Sequence, residues 1–149
     1  MDARAELDGF IDRYTTQVAA DARQALAFMT ARLPTTTRLV YDNYNALVVT
    51  FGTSDRAGDI ILSLALYPRY VTLFFLNGVE LPDPNGILEG SGSTIRGVKL
   101  RPISRVETPE VGALIDAAVA NGARLPATGE GKLIIKSISA KQRPRRPKG

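Results

Sequence analysis

Apolar residues at Leu7, Phe10, Ile11 and Tyr14 recur every three or four positions over residues 3–14, the spacing that gathers them on one face of a helix. A second run of that period covers residues 18–33 through Ala22, Ala25, Leu26, Phe28 and Met29. Thr15 and Thr16 stand before it as N-cap candidates, and Pro34 ends it. Two separate helices and one bent helix fit this pattern equally.

The period then falls to two. Residues 38–41 read as a short strand, and residues 47–51 alternate Leu47, Val49 and Phe51 against Val48 and Thr50. After a polar loop over residues 52–59, residues 60–67 put Ile60, Leu62, Leu64 and Leu66 on one side and Ser63 and Ala65 on the other. Pro68-Arg69 turns the chain into residues 70–76, rich in aromatic and β-branched side chains. Residues 95–103 predict a further strand, with Arg96, Val98 and Leu100 opposite Gly97, Lys99 and Arg101. Thr108-Pro109 opens a third helix whose stripe is Val111, Leu114, Ile115, Ala118 and Val119, and Asn121-Gly122 closes it. Residues 133–138 make a last strand. The expected class is α+β, an antiparallel sheet packed with N-terminal helices and one later helix.

At 149 residues and 44% hydrophobic content the chain supports one core, because a domain of about 150 residues buries roughly 68–70% of its unfolded surface. That domain is expected over residues 1–140, with residues 141–149, KQRPRRPKG, as a flexible basic tail. The tail changes the meaning of the net charge of +4. Lys141, Arg143, Arg145, Arg146 and Lys148 are five of 19 basic residues; the remaining 14 face 15 acidic ones, so the body carries −1.

Cysteine and histidine are both absent, which excludes disulfides, thiolate zinc sites and any Ser-His or Cys-His nucleophile pair. Ser91 and Ser93 therefore have no histidine to activate them. The N-terminal ten residues mix charges without an apolar run, and the most apolar region, residues 60–76, is broken by Pro68-Arg69. A cytoplasmic protein without membrane contact is expected.

Several short motifs occur in order: Tyr41-Asp42-Asn43-Tyr44-Asn45-Ala46, then Leu66-Tyr67-Pro68-Arg69-Tyr70-Val71 with Phe74-Phe75, then Leu81-Pro82-Asp83-Pro84. The Gly90-Ser91-Gly92 loop with Arg96, Lys99 and Leu100 completes the set. In these the chain resembles the YdhG-like family, domain-of-unknown-function family 1801, from about Leu7 to the tail. The resemblance implies a frataxin-like two-layer fold and, from some members described as intracellular iron chaperones, a link to iron. The family usually carries a lysine just after the second loop glycine, where this chain has Ser93.

Candidate chemistry concentrates in residues 81–101, where flexible backbone meets fixed positive charge. A concave run of N–H groups at Gly90, Ser91, Gly92 and Ser93 would form an anion nest. Arg96, Lys99 and Arg101 follow, and arginine offers a bidentate fork to phosphate or carboxylate. Tyr41, Asn43 and Tyr44 are candidates for an adjoining wall. These residues predict a non-enzymatic domain, needing no cofactor, that binds a small anionic or phosphorylated ligand or a protein partner. One alternative is iron binding through Asp8 and Asp12, which share a helix face at i,i+4, although Arg4 and Arg13 interrupt that face. Another is nucleic-acid contact by the five tail cations, with no aromatic residue in the tail to stack on bases.

Overall fold

A computed structural model of the chain describes residues 1–122 and 124–148. Two helices, α1 (Ala3–Ile11) and α2 (Thr16–Arg32), precede four strands, β1 (Thr37–Asp42), β2 (Leu47–Gly52), β3 (Ile60–Leu66) and β4 (Val71–Phe75). After a long loop come β5 (Arg96–Lys99), α3 (Pro109–Asn121) and β6 (Leu133–Ile138). Asp2, Thr15 and Thr108 cap the three helices by accepting from the N–H groups of Ala5, Val18 and Val111.

The first two helical runs are separate helices. Between them Tyr14 turns inward, donating from its hydroxyl to the Leu66 carbonyl at 2.8 Å and accepting from the Leu47 N–H at 3.1 Å. Burial raises the Tyr14 pKa above its ordinary 10.0, against the opposing effect of the Leu47 N–H.

The strand order is β5-β4-β3-β2-β1-β6. Strands β1 to β5 form the expected antiparallel meander. β6 returns to the far edge and pairs parallel with β1, which the long crossover through α3 permits. The sheet is therefore mixed. β5 stops at Lys99, short of the expected residue 103, because Pro102 has no N–H for the ladder.

The register sorts the sheet into two faces. Val40, Val49, Leu64, Leu73 and Val98 form one continuous row, and this row joins Ala22, Met29, Val111 and Ile115 of the helices in the core. A register shift between Phe51 and Gly52 re-aims Ile61 into this core, against Gly122 at the end of α3. The opposite row runs Leu39, Thr50, Ser63, Phe74 and Gly97, and none of these joins that core. Small side chains make this second face low, while Tyr41, Val48, Tyr67, Tyr70 and Phe74 stand half-buried on or beside it.

The C-terminal segment departs from the expected free tail. Arg145 is buried and bonds the Asp42 carboxylate at 2.9 Å and the Asn43 carbonyl at 2.6 Å. The Arg143 N–H donates to the Tyr44 carbonyl, and the Gln142 amide donates to the carbonyls of Asp42 and Ser139. The physical reason is Asp42, a buried carboxylate at the end of β1 that requires a cation.

Candidate functional site

The glycine-serine loop is exposed from Gly90 to Ile95, and Gly90 adopts φ +138°, a conformation that favours glycine. Glu89 pairs with Gly97 through two 2.9 Å backbone bonds, closing the loop at its base. Arg96 does not reach outward as a free fork. Its Nη1 donates to the carbonyls of Gly92 and Ile95, each at 2.7 Å, and so ties the loop to itself.

Arg96 and Lys99 leave opposite faces of β5, since three residues separate them on a strand. Lys99 lies over the Tyr70 ring, 4.8 Å from its centroid, on the uncovered face. Arg101 is exposed beyond the strand end. Tyr41, Asn43 and Tyr44 are not neighbours of this loop. They belong to β1 and its following turn, and β1 is four strand spacings, about 19 Å, from β5.

A different set of charges is gathered at the turn end of the sheet. The docked C-terminal segment runs from the β1–β2 turn towards the β3–β4 turn. Between them lies a groove of about 660 Å³ bordered by Asn45, Tyr67, Arg69, Arg143, Arg146 and Lys148. No described acidic side chain lines it. None of its four cations is ion-paired to a described carboxylate. Arg143 rests against the Tyr44 ring at 5.6 Å, and Arg146 donates to the Arg13 carbonyl at 3.1 Å. Lys141 is exposed, while Arg145 is spent on Asp42.

Tyr67 connects this groove to the uncovered face. It borders one shallow hollow with Tyr70, Phe74, Glu89 and Lys99, and a second with Val48, Phe74, Leu76 and Ile95. Its ring is 5.3 Å from that of Tyr70, and burial, followed by the neighbouring Tyr70, raises its pKa and keeps the phenol neutral.

The helix acids are engaged elsewhere. Asp8 and Asp12 each lie 2.7 Å from Nη2 of Arg23, whose pKa they raise, Asp12 more than Asp8. Among the described residues no three His, Cys, Asp or Glu side chains cluster to hold a metal ion. This donor set does not fit a resident iron ion. Nor is any described helix long and apolar enough to cross a membrane. A more enclosed cleft between β3 and α3 is lined by Asp59, Ile61, Phe75, Asn77 and Asn121. No described cationic side chain lines it.

Tyr67, Arg69, Tyr70 and Phe74, which border the groove and hollows, are not among the candidates read from the sequence. The available signal was an arginine in a two-residue turn between tyrosines. Comparisons of the chain with family models, curated proteins and solved structures found no match. The resemblance to the YdhG-like family therefore rests on its motif residues alone.

Proposed function

We propose that this chain is a binding domain, rather than an enzyme, for a small anionic or phosphorylated ligand held between the β3–β4 turn and the C-terminal segment. The supporting observation is one-sided charge: Arg69, Arg143, Arg146 and Lys148 border one groove, with no described acidic side chain among its lining residues. Three arginines there offer bidentate forks to phosphate oxygens. The groove's volume, about 660 Å³, falls within the roughly 300–1,000 Å³ usual for small-molecule sites. A sequence without histidine or cysteine favours binding over acid-base or nucleophilic catalysis. The Gly90–Ser93 loop is secondary in this reading, because Arg96 is committed to the loop's own carbonyls.

A thermal-shift panel of pyrophosphate, nucleotides and sugar phosphates tests it. A ligand at 100 times its Kd adds about 2.7 kcal/mol, or roughly 5–11 °C for a domain of this size. The shift should vanish in Arg143→Ala/Arg146→Ala and persist in Arg96→Ala. No shift from any anion would overturn the reading. A shift lost in Arg96→Ala and kept in the double variant would return the site to the loop.

A further inference from the structure

Beyond its charge, the groove has a neighbour that a small anion would not use. Tyr67 is a shared wall of the basic groove and of both hollows on the uncovered sheet face. Phe74 stands between those two hollows and lines each of them. The path from the groove is thus cationic first and aromatic afterwards. Proteins that hold single-stranded nucleic acid combine these same two elements, a basic track for the backbone and ring faces on which bases stack. The tail alone lacks such rings; its docking against the β3–β4 turn supplies them.

We propose that the ligand of this surface is single-stranded RNA, with phosphates on Arg69, Arg143, Arg146 and Lys148 and bases stacked on Tyr67 and Phe74. This rests on the groove being an anion site and extends that reading from a small phosphorylated ligand to a phosphate polymer. A sheet face whose rings stack bases is a recurrent RNA platform, because unpaired bases can be splayed onto it. Here the face is low enough to admit them. Ser63 and Ala65 are buried beside Phe74, and Gly97 offers no side chain beneath its ring.

Tyr70 contributes differently. Lys99 covers its ring at 4.8 Å, which fixes one more cation above the face at the far side of the first hollow. Polar groups also suit RNA: Asn45 and the hydroxyls of Tyr67 and Tyr70 border the path and match a ribose 2′-hydroxyl, which both donates and accepts. Glu89 is the acidic side chain along the way. It is an acceptor for a base amino group rather than a partner for phosphate.

Fluorescence anisotropy of a 5′-labelled oligo-U octamer with the full chain tests the inference, with oligo-dT, an RNA duplex and inorganic polyphosphate as competitors. Four phosphate contacts predict a log–log salt slope of about −2.8, from about −0.7 per contact on a single strand. Arg143→Ala/Arg146→Ala should reduce that slope to about −1.4. Phe74→Leu keeps an apolar side chain but removes the ring, and should weaken oligo-U roughly 5- to 150-fold while leaving polyphosphate unchanged. Phe74→Tyr should restore binding. Equal competition by polyphosphate, with no effect of Phe74→Leu, would overturn the RNA assignment and leave the anion reading intact. Preference for duplex, or equal affinity for oligo-dT, would likewise overturn it. No binding of oligo-U, polyphosphate or pyrophosphate would overturn both.

Discussion

Arg145 and Asp42 form an ion pair 2.9 Å apart with side chains 3% and 1% exposed, joining two points 103 residues apart in the chain. Asp42 Oδ2 has no hydrogen-bond partner among the described residues, although Nη1 of Arg13 lies 3.5 Å from it. Removing Arg145 leaves that carboxylate buried beside a half-exposed guanidinium. Breaking one side of such a pair costs about 3–5 kcal/mol, so Arg145→Ala should lower Tm by roughly 6–20 °C. A calorimetric or circular-dichroism melt measures this. A fall under about 2 °C would show that Arg13 neutralises Asp42 unaided.

A chain ending at residue 140 should be at least as unstable as Arg145→Ala. It also loses the Arg143 bond to Tyr44 and the Gln142 bonds to Asp42 and Ser139. Equal melting of truncated and full chains would mean that the segment lies on the surface without holding it.

Tyr14→Phe removes the hydroxyl that serves both Leu66 and Leu47. Losing those two buried bonds should cost about 1–3 kcal/mol in urea unfolding. The hydroxyl also sets an alkaline limit. Because the folded-state pKa lies above the ordinary 10.0, the unfolded chain releases this proton first. Tyr14's contribution is complete below pH 10 and is lost as pH rises from there through the folded value. The variant should lack this part of the alkaline fall in stability.

Arg96→Ala should free the glycine-serine loop without unfolding the domain. It removes the two bonds to Gly92 and Ile95, and the expected change in stability is within about 0.5 kcal/mol. Amide exchange over residues 90–95 should accelerate. Unchanged exchange would mean that the Glu89–Gly97 closure alone orders the loop.

Gly97→Ala tests the floor of the uncovered face. An added Cβ would lie 2.8 Å from Cδ1 and 2.9 Å from Cε1 of Phe74, so the ring has to rotate. A cost of about 1–3 kcal/mol is expected for such overpacking, with weaker oligo-U binding. The Phe74 ring resonances should move in an NMR spectrum; static resonances would show that Thr72 or the backbone yields instead.

The elements were legible where local rules act alone. Thr108-Pro109 starts α3 as its chemistry dictates, and the alternation of β3 correctly opposes Leu62 and Leu64 to Ser63 and Ala65. Long-range events were not legible. Nothing in residues 133–138 announces a parallel pairing with β1, since a strand's period is the same in either direction. Nor did the tail's composition reveal its docking, because the partner that holds Arg145 is a carboxylate far away in sequence. Charge spacing also misled: Arg96 and Lys99 look adjacent on paper, yet strand geometry sends them to opposite faces.

The separation of Asp42 from Arg145 also imposes an order in time. At about 5–20 residues per second, a separation of 103 residues takes roughly 5–20 s to synthesise. The two pieces that complete the β1 border, β6 along its edge and Arg145 on its terminal carboxylate, are thus the last to be made. Without residues 133–148 the outer edge of β1 would be bare, an open sheet edge of the kind that pairs with strands of other chains.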